Sequence, residues 1–389
     1  MGRLLWIVGL VCFGALGCGD DDGSNASSDA ASSGSGGAGG GAGGSGAAGG
    51  QGGGASVEEL LAAQMEEAAS KGFSGAVVVV DGAGVLLAQG YGACIRETET
   101  PCTADTVFDI GSLTKQFTAA AVMAEVEDGH LALDDTLASF FPAAPADKAA
   151  ITVHQLLTHT AGLPDVLGGD YEPVDRQAFL DLAFAAPLDA PPGEQHAYSN
   201  VGYSILGAIL EVSTGASYEA ALRAGALTPA GLGRTGYLVP DWASLVVAHG
   251  YEGATAFGSP LDQPWADDGP YWHLRANGGL LSTPLDMVAW HEALIGDAVL
   301  DVRSKEAMFT PHVEEGPGFG TYYGYGWVVQ DTDHGKLVWH NGGNGYFFAD
   351  LWRYLDAGVT VFVASNAYAD YPGNDMLAFR LAKTVLDGG

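Results

Sequence analysis

The body of the chain opens at Ser56, where apolar positions fall into helical order. Val57, Leu60, Leu61, Met65 and Ala68 form one stripe, Ser56 and Glu59 stand at capping-box spacing, and Lys71-Gly72 closes the run. Shorter apolar runs at residues 74–80 and 85–91 flank the turn Asp81-Gly82-Ala83-Gly84, which predicts a β-hairpin. Strand-like runs return only near the C-terminus, at 326–330, 336–340, 346–354 and 359–365, the last two joined through Asp356-Ala357-Gly358. A closing helix is expected over 375–386. Between these ends the pattern is helical. Residues 117–126 form an apolar stretch, Thr152 and Gln155 open a helix over 153–158, and Gly162-Leu163-Pro164 follows it as a stop. Thr283 caps a helix with Pro284 at its first position, which runs to about Ile295 before Gly296. The order predicts an α+β fold. One antiparallel sheet is built from both chain ends and flanked by helices, with a mainly helical lobe (about 127–295) inserted, and clefts form where two such lobes meet.

The N-terminus has a different character. Arg3 precedes the apolar residues 4–17, a run too short for a membrane span, which takes about 20 residues, but suited to a signal peptide over 1–17. Ala15-Leu16-Gly17-Cys18 resembles a bacterial lipobox, with Ala15 where the pattern usually has Leu; Cys18 is then the lipidated N-terminus. Residues 19–54 are almost wholly Gly, Ala, Ser and Asp, a composition that buries nothing and behaves as a coil with an r.m.s. span of about 30–36 Å. The expected organisation is a signal peptide (1–17), a lipid-bearing linker (18–54) and a catalytic domain (55–389). The protein is then exported and held at a membrane, facing the periplasm or the cell exterior. In such a compartment Cys94 and Cys102, which flank the turn-rich 97–101, are expected to pair.

Charge narrows the partners. Acidic residues number 47 against 15 basic ones, a net charge of −32, and no Lys/Arg cluster offsets it locally. A surface this negative repels phosphate backbones, so nucleic acid is excluded as a partner. Hydrophobic residues at 47% supply a sizeable core, which excludes global disorder.

Candidate chemistry starts at Ser112-Leu113-Thr114-Lys115. On a helix Ser112 and Lys115 share a face, and a lysine buried there loses hydration, drops in pKa and can act as a base. Alone, the same four residues read more readily as an N-cap serine and a surface lysine. Two further motifs change the weighting: Tyr198-Ser199-Asn200 after Pro191-Pro192-Gly193, and His340-Asn341-Gly342-Gly343 at the end of an expected strand. In this order the three resemble the serine β-lactamase and penicillin-binding protein superfamily, specifically its class C β-lactamase-like branch. Residues 156–163, Pro192-Gly193-Glu194 and 278–283 are similar to the same branch, and the resemblance runs over about 57–386.

The resemblance implies a β-lactamase/transpeptidase-like fold with Ser112 as nucleophile and Lys115 as its activating partner. Tyr198 relays protons, its phenol acidified by Lys115; Asn200 places Lys115 and the substrate amide. His340 lines the cleft with Asn341 and Gly342, and the backbone N–H groups of Ser112 and Gly343 form the oxyanion hole. One departure stands out: His340 occupies the place of a lysine that orients substrate carboxylates, which argues against efficient β-lactam turnover. A charged imidazole there predicts that anionic substrates bind best below pH ~6.5. Arg353 and Arg275 are the alternative carboxylate anchors. His159 is expected as a structural helix-end residue, His196 at the rim, and Tyr322, Tyr323, Tyr325 and Trp327 as core and cleft wall. No Gly-x-Ser-x-Gly elbow is present, and His291-Glu292 lacks the second histidine of a zinc motif.

The sequence thus predicts a monomeric, exported serine hydrolase without metal or cofactor. It acts through an acyl-enzyme on a D-Ala-D-Ala peptide, a β-lactam or a short acyl ester. The rival reading is a binding or sensor lipoprotein that is acylated or occupied without turnover.

Overall fold

The computed structural model describes residues 55–388; the expected signal peptide (1–17), Cys18 and the expected linker lie outside the described residues. Helix α1 (Val57–Ser70) carries the expected capping box at Ser56 and Glu59. It leads into the hairpin β1 (Gly75–Asp81) and β2 (Gly84–Tyr91). Six strands from the C-terminal third join them: β3 (Val313–Glu314), β4 (Tyr322–Tyr323), β5 (Val328–Thr332), β6 (Gly335–Gly343), β7 (Phe348–Tyr354) and β8 (Val359–Ser365). The spatial order is β2-β1-β8-β7-β6-β5-β4-β3 and every pair is antiparallel. The seam between the two chain ends is β1 on β8, from Gly75 opposite Ser365 to Val80 opposite Thr360.

Both faces of the central strands are covered, which explains why they read as continuous apolar runs rather than an alternating pattern. Val77, Val79, Val361 and Val363 point to one face, against Leu61 and Met65 of α1 and Leu377, Leu381 and Val385 of α5 (Leu377–Gly388). Ala76, Phe362 and Ala364 point to the other, where the main core gathers α2 (Thr114–Glu127), α3 (Asn200–Thr214) and α4 (Pro284–Ile295). Helix α4 starts and stops where its caps dictate: Thr283 accepts from the Asp286 N–H, Pro284 is the first residue, and Gly296 ends it. Among the described residues no helix is long and apolar enough to cross a membrane.

Several strand limits move from expectation, and two of the late starts have local reasons. The run expected from 346 becomes a strand only at Phe348, because the Asn344 side chain accepts from the Tyr346 and Phe347 N–H groups and holds a turn. The run expected from 326 begins at Val328, since Gly326 sits at φ +78° against the Lys115 carbonyl. The inserted lobe is not purely helical. It carries the hairpin Gly250–Glu252/Thr255–Gly258, and its short strand Leu281–Ser282 pairs with Phe108–Asp109. Cys94 and Cys102 form a disulfide.

Candidate active site

The pairing of Phe108–Asp109 with Leu281–Ser282 brings the chain to Gly111, whose φ of +51° turns it into the 3-10 turn Gly111–Leu113 and on into α2. A side chain at Gly111 would collide with the backbone of Gly342 and Gly343, and one at Gly342 with the backbone nitrogen of Ser112. These glycines allow the end of β6 to lie directly against the turn bearing Ser112.

Lys115, one turn into α2, is wholly buried. Its Nζ donates to Ser112 Oγ (3.1 Å), Asn200 Oδ1 (2.7 Å) and the Asn277 carbonyl (2.7 Å). Burial pushes its pKa down from 10.5 to about 7, against the pull of Asp165 and Asp170. In the neutral amine two N–H groups stay committed to Asn200 and Asn277, which leaves the lone pair facing the Ser112 hydroxyl. That geometry suits removal of the Ser112 proton.

Supporting residues fix each partner. Asn200 begins α3 and donates through Nδ2 to Asp165 Oδ1 (2.9 Å), so its Oδ1 must face Lys115. The Asn277 side chain donates to Ser204 Oγ (2.8 Å) and the His273 carbonyl (2.9 Å), which holds its own carbonyl in place. Neither Asp165 nor Asn277 was singled out by spacing. Tyr198 sits with its ring 4.8 Å from Lys115 Nζ and 4.3 Å from the His159 ring. His159, at φ +56° just past the helix Val153–Leu157, is buried and accepts the Ser199 N–H at Nδ1 (3.0 Å). It forms the bed on which Tyr198 rests.

Three expectations are corrected by burial. The Tyr198 phenol is not acidified by Lys115: burial drives it well above 10, and only the neighbouring Ser112 hydroxyl pulls it down. His340 is no cation. Burial, then Lys115, lowers it to about 3. Its Nδ1–H donates to the Asn341 carbonyl (2.5 Å), so Nε2 accepts from the Tyr323 hydroxyl (3.0 Å), the tautomer of a neutral imidazole. The expected loss of anionic-substrate binding near pH 6.5 therefore cannot come from His340. Arg353 and Arg275 do not anchor a carboxylate either. Arg353 is buried on β7 and donates to His291 Nδ1 (3.0 Å), while Arg275 makes a bidentate pair with Asp268 (2.9 and 2.7 Å).

A cavity of about 50 Å³ opens beside Ser112, lined among others by Asp109, Asp170, Asn277, Gly343 and Asn344. Ser112 and Gly343 thus border one space, where their N–H groups can meet a carbonyl oxygen. Asn341, half-buried on β6, has no hydrogen-bond partner for its amide among the described residues.

Proteins of similar sequence and fold are known. The chain is 30% identical over 312 residues to penicillin-binding protein 4 of Amycolatopsis lactamdurans, covering 75% of this chain and 80% of that one. It is 28% identical over 327 residues to a D-aminopeptidase of Brucella anthropi, covering 81% of this chain and 59% of that one. Among solved structures, the octameric penicillin-binding protein homologue from Pyrococcus abyssi superposes with a TM-score of 0.72 at 29% identity, over 84% of this chain and 77% of that one. The sequence profile of the family described as Beta-lactamase matches residues 57–385, nearly all of the described fold, and this chain belongs to that family.

Proposed function

We propose that this chain is a serine hydrolase of the class C-like branch, acting through an acyl-enzyme on a small amide or ester. The observation that carries the reading is the buried Lys115 amine, held by two acceptors with its third direction on Ser112. Nζ takes the Ser112 proton as Oγ bonds to the acyl carbon, and the carbonyl electron pair moves onto oxygen between the Ser112 and Gly343 N–H groups. The proton then passes by way of the Tyr198 hydroxyl to the leaving nitrogen or oxygen, and the bond to the acyl carbon breaks. Water reverses the sequence and releases the acid. Tyr198 acts here as a neutral phenol that hands on a proton, consistent with its raised pKa.

The relatives' names, a penicillin-binding protein and a D-aminopeptidase, support amide substrates. The neutral His340 and the occupied Arg275 and Arg353 remove the three candidate anchors for a substrate carboxylate, which speaks against rapid β-lactam hydrolysis. Export and a lipid at Cys18 belong to the same reading, supported by the run at 4–17 and the tether at 19–54. Ser112→Ala should lose labelling by a fluorophosphonate while keeping its unfolding transition. Labelling that persists and maps elsewhere would remove Ser112 from the mechanism. Labelled protein that releases no acid from any amide or ester would instead make it a sensor.

A further inference from the structure

Arg353 carries a charge into the core that no acid there balances. It stands on β7 at 2% exposure, between Val338 of β6 and Thr360 of β8, with His291 of α4 packed over it. Its Nε donates to His291 Nδ1 (3.0 Å) and Nη2 reaches the His291 carbonyl (3.5 Å), but Nη1 has no hydrogen-bond partner among the described residues. Burial alone lowers its pKa, to about 9, so the group is charged at neutral pH and no neighbouring carboxylate acts on it. His291 supplies no negative charge, since burial and then Arg353 hold it at about 3, as a neutral imidazole accepting through Nδ1. The rings of Phe309 and Trp327 lie 5.5 and 5.6 Å from the guanidinium and screen part of its charge. A buried guanidinium with an open N–H and no counter-charge is nevertheless costly.

The unmet side-chain groups of this neighbourhood are all donors. Trp327 Nε1 is buried without a partner. So is Gln116 Nε2 on α2, whose Cα packs against Gly326, the residue before Trp327. A water molecule accepting from two of these groups would still have two hydrogens of its own to place, and it would leave the charge unbalanced. An anion meets both needs. We propose that the core of this protein binds a monatomic anion, a halide such as chloride, at Arg353 Nη1 with the Trp327 indole N–H as its second donor. An oxyanion fits less well, because its three or four oxygens call for more donors than these side chains offer. The site is separate from the cavity beside Ser112 and does not depend on the acyl-enzyme reading. It still bears on the same sheet: Arg353 lies opposite Val338, two residues before His340, so a bound halide braces β6 against β7. The net charge of −32 opposes anion entry, which sets the expected affinity in the millimolar rather than the micromolar range.

The test measures thermal unfolding in sodium chloride, sodium bromide and sodium gluconate at equal ionic strength, gluconate being too large to enter the core. Chloride and bromide should raise the wild-type melting temperature above its gluconate value along a saturating curve, by about 2–4 °C at ten times the dissociation constant. Arg353→Met keeps the length of the side chain without its charge and should lose the difference between chloride and gluconate. Should that variant fail to fold, Trp327→Phe removes only the second donor and should shift the chloride curve several-fold to higher concentration. Crystals of the wild type grown in bromide should show an anomalous peak at hydrogen-bond distance from Arg353 Nη1. A water at that place, halide peaks on the surface only, or a wild-type protein that responds alike to chloride and gluconate overturns the proposal, as does a halide response that survives in Arg353→Met.

Discussion

Replacing Lys115 by methionine isolates the buried amine. The fall from 10.5 to about 7 corresponds to roughly 5 kcal/mol at about 1.36 kcal/mol per unit, set by loss of hydration in a site with no exposed surface. An ordinary lysine is neutral in only about one molecule in 2,500 at pH 7. Lys115 is neutral in about half, and that fraction is what Ser112 needs. The shift also acts on stability. Between pH ~7 and ~10.5 the unfolded chain holds a proton that the folded one lacks, so wild-type stability rises with pH across this window and falls as pH drops through it. Lys115→Met lacks the effect. Urea unfolding of both proteins from pH 7.5 to 9.5 should show the stability difference moving in favour of the wild type by about 2–3 kcal/mol. Fluorophosphonate labelling of the wild type should rise with pH and level off above about 7. Asp109 and Glu315, which burial pushes up to about 7, titrate in the same range. They cancel in the stability difference, which is therefore the deciding measurement. A difference that stays constant within about 0.5 kcal/mol over those two pH units refutes a depressed Lys115.

Two further outcomes test the geometry around it. Tyr198→Phe should slow turnover by about 10²–10⁴ with Ser112 still labelled, the loss expected for a proton-transfer group; steady-state rates within threefold of wild type would place proton transfer elsewhere. Gly342→Ala forces a methyl group against the Ser112 backbone, so labelling should fall at least as far as the melting temperature suggests; a fully active variant would mean that β6 does not abut the turn.

What the sequence made legible was local. Thr283 and Pro284 announce α4 because capping and proline chemistry act within one turn, and Ser112–Lys115 is visible because helical spacing alone places both on one face. Residues 74–80 and 359–365 could be read as strands, but their pairing as the seam of the sheet depended on the order of elements rather than on any residue. Depth of burial was not legible, and it decides protonation. Tyr198 and His340 were given the wrong acidity because Tyr198 was judged by its proximity to Lys115 and His340 by the value of a free imidazole, both without the loss of water. Asn277 left no signal at all, since it serves Lys115 through a backbone carbonyl that any residue possesses. Arg353 looked free because its partner His291 lies on another element, brought close only by packing of α4 on the sheet.

The β1–β8 seam ties chemical competence to completeness of the chain. Ser112 follows the N-terminal hairpin, while Gly342 and Gly343 belong to a strand made more than two hundred residues later. A nascent, truncated or half-refolded polypeptide can form α2 and expose its serine, yet it has no β6 to supply the second wall of the cavity and no buried environment to neutralise Lys115. A reactive serine thus reports a finished fold, and an activity-based label doubles as a count of correctly assembled molecules in a mixed preparation.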